Sequence, residues 1–381
     1  MHGRWLLPLI LGPTSNQPLN AQDRQHLYPI VKDEQVGFID SSGQERIPPQ
    51  FERGECSFGM LPQFSEGLAR VELGNRLRYI DQTGKFALVL FPQSVDPKQT
   101  LFVGAQPFHE GIATALTSGS GIGIGQKRIW IDRNGQVVFA KDNDQLPTEF
   151  HEGLLRLLDH HKWGYVDHNF HWVIRPQFQN AEDFSEGLAL VWIDTGSSSA
   201  WAYIDKTGAI VFQQKGQSLH ASSFSGGLAL INVVVPMTGL NGGGRYSKFE
   251  FVDHTGHEVI GPSLDAASFF FSQGYAFACT ECKEKGMAII DKQGAQLTPQ
   301  EFDAFLSSEF HEGLAPIRKG QVYGYIDPSG RMVIPPQFDE AHNFSDGLAL
   351  VVWYQKREWA YVDKHGNVIW KGVDRCQLPL P

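Results

Sequence analysis

The feature that most constrains this chain is a pair of short motifs that recur in strict alternation. The first motif gives FSEGLALV at residues 184–191 and FSDGLALV at residues 344–351. Its copies share a Phe, a mostly acidic third position, and a Gly followed by a hydrophobic residue. The third position holds Glu66, Glu110, Glu152, Glu186, Gly226, Gln273, Glu312 and Asp346. Such internal repetition predicts an array of like units, because each unit buries its apolar faces against its neighbours.

The second motif places Asp after an aromatic or aliphatic residue and Ile or Val, with Gly three residues beyond the Asp. The complete copies carry the pairs Asp40 and Gly43, Asp81 and Gly84, Asp132 and Gly135, Asp205 and Gly208, Asp253 and Gly256, Asp291 and Gly294, Asp327 and Gly330, and Asp363 and Gly366. A further copy at Asp167 has Phe170 in the glycine position. The aspartates recur about every 40 residues, a period typical of solenoids and propellers.

Each motif predicts one local structure. Asp at the first and Gly at the fourth position suit a turn between antiparallel strands, because Gly adopts positive φ at little cost. The LALV residues are apolar on both faces, which is typical of a strand covered on both sides. The sequence therefore predicts an all-β fold, a tandem array of eight to nine three-stranded antiparallel meanders. Either an open β-solenoid or a β-propeller-like arrangement is compatible with it.

The two motifs, with the segments that flank them, resemble the WG-repeat family of bacterial proteins. The resemblance rests on a WG-like pair before the hairpin, an IPPQF-like corner after it and the FSEGLA strand, and it covers roughly residues 36–373. The pair is intact at Trp163-Gly164, with near versions at Tyr323-Gly324, Trp201-Ala202 and Trp359-Ala360. The resemblance implies a repeat scaffold, and it brings no catalytic residues to carry over. The recurring acid of the first motif is accordingly interpreted as an acceptor that stabilises its turn.

The first residues are similar to a secretory signal. Arg4 precedes an apolar run from Trp5 to Leu11, and the small Ala21 suits a cleavage site. We expect a signal peptide over residues 1–21, a linker over 22–35, the repeat array over 36–373 and a tail over 374–381. The protein is then secreted or periplasmic, with an uncleaved, cytoplasmic chain as the alternative. No transmembrane segment is expected in the mature chain, because no later stretch approaches about 18 uninterrupted apolar residues.

Few residues point to chemistry. The sequence has no recognisable nucleophile or phosphate-loop motif, so we expect no cofactor. His160 and His171 are weak metal-ligand candidates, if they face each other across one hairpin. Surface histidines that bind no metal are the more common case. Cys279 and Cys282 are interpreted as two incidental thiols, with a local disulfide as the alternative in an exported protein.

Composition and repetition favour binding over catalysis. The net charge of −10 argues against nucleic acid as a partner, because phosphate neutralisation needs an excess of basic residues. We therefore predict a non-enzymatic scaffold with an extended surface for a protein or cell-surface partner. The alternative is a carbohydrate-binding or glycoside-active protein on the same stack. Variable connections after the LALV strands are expected to share one edge. The candidate binding residues are Trp192, Trp201, Tyr246, Trp353 and Trp359.

Overall fold

A computed structural model describes most of the repeat array. It covers residues 26–53, 61–74, 77–89, 102–117, 127–142, 147–194, 196, 199–213, 218–236, 245–280, 282, 286–302 and 309–373. The predicted signal peptide and the predicted tail lie outside these ranges. Within them the chain forms 32 β-strands and no helix.

The strands fall into nine units, which we number in chain order. Units one to three contain β1 (Tyr28–Lys32), β2 (Gln35–Ile39), β3 (Glu45–Glu52); β4 (Phe64–Ser65), β5 (Leu68–Glu72), β6 (Leu77–Asp81), β7 (Phe86–Val89); and β8 (Phe102–Ala105), β9 (Ile112–Thr117), β10 (Lys127–Asp132), β11 (Val137–Asp142). Units four to six contain β12 (Leu155–Asp159), β13 (Lys162–Val166), β14 (Trp172–Phe178); β15 (Asn180–Ala181), β16 (Ala189–Asp194), β17 (Ser199–Ile204), β18 (Ile210–Gln213); and β19 (Ser218–Ala221), β20 (Ala229–Pro236), β21 (Arg245–Val252), β22 (Glu258–Leu264). Units seven to nine contain β23 (Ala266–Ala267), β24 (Tyr275–Cys279), β25 (Ala288–Asp291); β26 (Ala315–Lys319), β27 (Val322–Ile326), β28 (Met332–Phe338); and β29 (Glu340–Ala341), β30 (Leu348–Trp353), β31 (Glu358–Asp363), β32 (Val368–Val373).

Every strand pairing within a unit is antiparallel. Units three to nine each form a separate sheet of three or four strands. Units one and two share one sheet, because Glu52 of β3 pairs with Glu72 of β5. The predicted all-β array of eight to nine small meanders is therefore confirmed.

The array begins earlier than the predicted boundary at residue 36. Residues 28–32 were predicted to belong to a linker, but they form strand β1 and pair with β2 from Tyr28↔Ile39 to Lys32↔Gln35. The first four of their side chains are buried and Lys32 is exposed. This segment lacks the FSEG motif, so the sequence pattern alone does not mark it as the first strand of a unit.

Each unit has two distinct ends. In unit five, Ala189 pairs with Ile204 beside the Asp205 turn, whereas Asp194 pairs with Ser199 at the opposite end. We call the first of these the turn end and the second the loop end. The variable connections of units three, five, six and nine leave from the loop end, where Thr117 pairs with Lys127 and Pro236 with Arg245.

The hydrophobic core lies between units. The Phe of the first motif packs edge-on against the hairpin aromatic of the preceding unit, as Phe184 does against Tyr165 with ring centroids 4.8 Å apart. Phe108 on Tyr79 and Phe344 on Tyr325 repeat the contact at 4.9 Å. Burying one such Phe contributes roughly 1.5–3 kcal/mol, so each contact binds a unit to its neighbour.

The two ends of the array meet. One hydrophobic cluster contains residues from units one and two together with Leu348, Trp359 and Tyr361 of unit nine. Tyr361 Oη donates to the Pro29 carbonyl at 3.1 Å, and Tyr28 Oη donates to the Ser345 carbonyl at 2.7 Å. Because consecutive units also pack on each other, these contacts close the array into a ring. Of the two predicted arrangements, the contacts match the closed one.

The glycine of the WG pair makes room for a backbone crossing. A Cβ on Gly164 would lie 2.5 Å from the Ile174 carbonyl oxygen and 2.7 Å from Pro176 N. Gly37 and Gly324 face equivalent proline corners in units one and eight. Units five and nine have Ala in this position, and their last strands, IVFQ and VIWKGV, contain no proline. In units one, four and eight the glycine is therefore needed for a steric reason, whereas unit six combines Pro262 in its last strand with Glu250 at the glycine position.

Candidate functional site

A cleft crosses units five, six and seven. Its volume is about 410 Å³, within the range of small-ligand sites. Its apolar lining comes from Trp201, Phe249, Phe269 and Phe270, with Leu190, Leu230 and Ala221. Its polar lining comes from Asn180, Glu182, Ser222, Ser223 and Asn232. The cleft therefore combines flat aromatic surfaces with amide, hydroxyl and carboxylate groups, a mixture typical of ligand pockets.

Two of the predicted binding residues lie together at this cleft. Trp192 on β16 and Trp201 on β17 are direct cross-strand partners, and their ring centroids are 4.8 Å apart. Trp192 is 36% exposed, whereas Trp201 is half-buried and lines the cleft. The pair thus forms an aromatic surface that continues from the cleft towards the loop end of unit five.

The other three predicted binding residues do not join that surface. Trp353, in unit nine, is half-buried, and its Nε1 donates to the Gln337 carbonyl at 2.9 Å. Trp359 was expected to be exposed, but it is fully buried, because it lies in the core that joins unit nine to unit one. The backbone of Tyr246 lies in β21 opposite Val235, and its side chain is outside the described part of the structure.

The recurring acid of the first motif sits in a strained backbone conformation. Glu186 has φ +55° and the following Gly187 has φ +86°, which together form a two-residue turn between Ser185 and Leu188. Positive φ is uncommon for residues other than Gly. The other acids of the motif, and Gln273, have φ between +49° and +54°. A costly conformation that recurs in unit after unit indicates that the side chain has a role there.

That role is to bind the next unit. Glu186 Oε2 accepts a hydrogen bond from the Gly227 N–H at 2.9 Å, and Gly227 occupies the same motif position one unit later. Equivalent bonds of 2.7–3.3 Å join Glu66 to Gly111, Glu110 to Gly153, Glu152 to Gly187, Gln273 to Gly313, and Glu312 to Gly347. The acid is an acceptor for a backbone N–H, as interpreted from the sequence, but the donor belongs to the following unit. We call each of these contacts a joint.

A basic side chain, Lys, Arg or His, completes the joints that hold a glutamate. It is the residue after the hairpin Asp of the following unit, as Lys206 Nζ lies 3.1 Å from Glu152 Oε2. The other pairs are Glu66 with Arg133, Glu110 with His168, Glu186 with His254, and Glu312 with Lys364. The joint with the neutral Gln273 is followed by Pro328 in the cation position. This correlation is visible in the sequence, but it becomes interpretable only when the contacts are known.

Hydrogen bonds and ion pairs keep three of these glutamates, Glu66, Glu152 and Glu312, charged. Partial burial raises the pKa of Glu152, but hydrogen bonds from Lys206 and from the Gly187 N–H lower it by more. The pKa of Glu152 therefore lies below its usual range, and the pKa values of Glu66 and Glu312 are lowered by the same balance of causes. The joints of Glu66, Glu152 and Glu312 with Arg133, Lys206 and Lys364 are thus ionic contacts at neutral pH.

Comparison with known proteins identifies the repeat. Four segments match the family model described as "WG containing repeat", at residues 37–76, 163–193, 251–281 and 323–352. The chain is a WG-repeat protein. No curated protein matches it in sequence.

Solved structures similar to this WG-repeat protein are remote. They include Hsv2 from Kluyvelomyces marxianus, with 7% identity, 71% of this chain and 96% of that chain covered, and a TM-score of 0.36. Prolyl oligopeptidase B from Galerina marginata has 11% identity, coverage of 80% and 55%, and a TM-score of 0.35. Acylaminoacyl peptidase from Pyrococcus horikoshii has 8% identity, coverage of 67% and 49%, and a TM-score of 0.37.

The hairpin turns of the WG units follow one hydrogen-bond pattern. In unit five, the Gly208 N–H donates to the Asp205 carbonyl, and Asp205 Oδ1 accepts from the backbone N–H groups of Thr207 and Ala209. Gly208 has φ +86° and Gly330 has φ +82°. Phe170, in the degenerate copy, takes the same conformation at φ +59°. The aspartates and glycines named from the sequence therefore lie in turns at the turn end of each unit.

The histidines of unit four lie apart. The turn containing His160 joins β12 to β13, whereas His171 follows the turn that starts at Asp167, at the other end of β13. The hypothesis that they face each other across one hairpin is wrong, because a strand of about 15 Å separates the two turns. Among the described residues, no group of three or more His, Cys, Asp or Glu side chains could hold a metal ion.

The cysteine interpretation changes. Cys279 at the end of β24 is joined to Cys282 by a disulfide, with the two Cα atoms 5.5 Å apart. The preferred reading of two incidental thiols is therefore wrong, and the alternative of a local disulfide is observed. Cys56 and Cys376 lie outside the described residues. In the described part of the chain, no helix is long and apolar enough to span a membrane.

Proposed function

We propose that this WG-repeat protein is a non-enzymatic binding scaffold that recognises a protein or cell-surface partner through the cleft of units five to seven. The observation that carries the proposal is the lining of that cleft, where aromatic side chains from three successive units converge beside amide and carboxylate groups. Aromatic residues in such a setting supply most of the binding energy in protein interfaces. A rigid ring of joined units holds them in fixed positions without an ordering cost on binding.

The test uses one tryptophan inside the cleft and one outside it. Protein with Trp201→Ala and protein with Trp172→Ala are used to capture partners from the native cell extract and from intact cell surfaces. Trp172 is a matched control, because it is 37% exposed on unit four and lies outside the cleft. We expect the wild type and the Trp172→Ala protein to retain the partner, and the Trp201→Ala protein to bind it at least tenfold more weakly. If the Trp201→Ala protein binds the partner with full affinity, the cleft is not the recognition site.

A carbohydrate ligand is the second candidate. It is favoured by the neighbouring rings of Trp192 and Trp201 beside Glu182 and Asn180, because sugars pack on aromatic faces and bond to amide and carboxylate groups. A glycan array, read with and without Trp192→Ala, distinguishes this candidate from a protein partner. Hydrolysis of any glycoside by the wild type would overturn the non-enzymatic proposal.

We further propose that the protein is secreted or periplasmic. The disulfide between Cys279 and Cys282 supports this location, because disulfides persist mainly in oxidising compartments. Recovery of mature protein that begins near Gln22 is the expected result of N-terminal sequencing. Retention of Met1 would favour the cytoplasmic alternative.

A further inference from the structure

One joint in the ring lacks its acceptor. Between units six and seven, the position of the acid is occupied by Gly226, whereas the two groups that a glutamate would bind are both present in unit seven. These are the N–H of Gly274 and the ammonium of Lys292, which follows the hairpin Asp291. Among the described residues, neither group has a hydrogen-bond or ion-pair partner. At the equivalent joint after unit four, Glu152 binds both Gly187 N–H and Lys206.

The unfilled joint keeps the turn conformation of the filled ones on its unit-seven side, whereas on its unit-six side the Phe271 backbone lies where the Cβ of an acid would be. Ser225 Oγ donates to the Phe271 carbonyl across this joint at 3.0 Å. Ser185 Oγ donates to the Phe224 carbonyl in the same way at the joint between units five and six. The turn of unit seven also keeps its conformation, with Gln273 at φ +54° and Gly274 at φ +90°. The Gly274 N–H is therefore presented as its counterparts are, and a Cβ added to Gly274 would meet nothing within 4 Å.

Lys292 also reaches across its joint, although it lies beside the glycine position of the turn rather than the acid position that Lys206 contacts. Its Nζ lies 4.0 Å from the position that a Cβ on Gly227 would take, so the ammonium rests against the turn of unit six. Lys206 Nζ lies 3.0 Å from the Glu152 carbonyl. Lys292 is half-buried, and a cation held there without a carboxylate is the exception in this ring. The joint of Gln273 differs in the other direction. Its acceptor is neutral, and unit eight has Pro328 where other units have a basic residue.

The chain cannot fill this joint from position 226. A Cβ on Gly226 would lie 2.7 Å from the Phe271 carbonyl oxygen and 3.0 Å from Phe271 Cβ, so no side chain fits there. We propose that the joint between units six and seven is a binding site for a carboxylate of a ligand, with one oxygen accepting from Gly274 N–H and pairing with Lys292. Backbone N–H groups and a lysine together are a common carboxylate site. This inference does not depend on the aromatic cleft.

Glycine-selective NMR of the full chain tests the site directly. Protein labelled with ¹⁵N at glycine is titrated with sodium acetate at constant ionic strength, with chloride and acetamide as controls. We expect the Gly274 amide signal to move downfield and saturate with acetate alone. The amides of Gly187 and Gly227 should stay in place, because Glu152 and Glu186 already occupy them. If the amide signal of Gly274 in the wild-type protein shifts no further than that of Gly187, the proposal is wrong.

Two matched variants and two further ligands complete the test. Lys292→Met should weaken acetate binding at Gly274 at least tenfold, whereas Lys206→Met, at a filled joint, should leave it unchanged. Equal binding in both variants would overturn the assignment of Lys292. N-acetylglutamate amide and methyl glucuronoside then separate a peptide carboxylate from a sugar acid as the source. Binding of either supports the site, and binding of neither contradicts it.

Discussion

Glu186, at positive φ, is one of the glutamates whose side chains hold neighbouring units of the ring together. Removing the side chain of Glu186 leaves the Gly227 N–H without its acceptor. We therefore expect Glu186→Ala to lower the free energy of unfolding by about 1 kcal/mol, the usual net value of one hydrogen bond. Glu186→Gln should lose less, because Gln273 makes the same bond in unit seven. Urea unfolding of the two variants measures the difference, and equal losses would mean that the acceptor atom is unimportant.

The glycine of the WG pair offers a steric prediction. In the Gly164→Ala protein the new Cβ meets backbone atoms of the β14 corner, which cannot move aside as a flexible side chain can. We expect a loss of about 1–3 kcal/mol, the range for overpacked sites. The reverse change Ala202→Gly, at the same position of unit five, should cost only about 0.5–1 kcal/mol. Thermal unfolding compares them, and similar losses would contradict the steric explanation.

The lowered pKa of Asp40 makes the stability of unit one depend on pH. Hydrogen bonds, of which that from Ser42 Oγ is the strongest, lower the pKa of Asp40 to about 2. The unfolded chain has a pKa of about 3.9 at this residue. The folded state therefore gains stability from ionised Asp40 above about pH 4, and this gain disappears as pH falls to about 2.

The corresponding experiment compares wild type with Asp40→Asn by urea unfolding between pH 2 and pH 6. We expect the wild type to be more stable at pH 6, with the difference shrinking below about pH 4 and ending near pH 2. A difference that stays constant across this range would exclude ionised Asp40 as its origin.

The elements of the array were predictable to different degrees. Strands next to a motif follow from the sequence, because the Asp205 turn fixes where β17 ends and the Gly187 turn fixes where β16 begins. Strand β1 has no such marker. The two-residue strand β15 could not be predicted, because it is too short for any periodic pattern and depends on its pairing with β16.

The candidate sites depend on contacts between elements that are distant in sequence. Trp201 and Trp359 occupy equivalent positions of β17 and β31, yet one lines a cleft and the other is fully buried. The difference arises because Trp359 packs into the core shared with unit one, more than 300 residues earlier. The cleft likewise needs three units, and the unfilled joint is recognisable only by comparison with the filled ones. Local sequence patterns carry none of this information.

The closed ring makes the stability of the whole molecule depend on the number of units. In an open array, deleting one unit leaves a shorter array with the same kinds of contact. In this ring, each unit turns the chain by a fixed amount, so eight units bring the ends to a different relative position from nine. The contacts of Tyr28 with Ser345 and of Tyr361 with Pro29 then cannot all form.

Deletion of residues 163–200, which span about one repeat, tests this dependence. We expect the shortened protein to have a lower unfolding temperature and to lose amide hydrogen-exchange protection in β1 and β31, far from the cut, because the contacts between units nine and one open. The Tyr361→Phe variant of the full chain is the control, since it removes one closing hydrogen bond and keeps the number of units. It should lose much less protection in β1 than the deletion does. If the shortened protein instead retains full protection in β1 and β31, the ends do not hold a closed ring, and the units behave as an open stack.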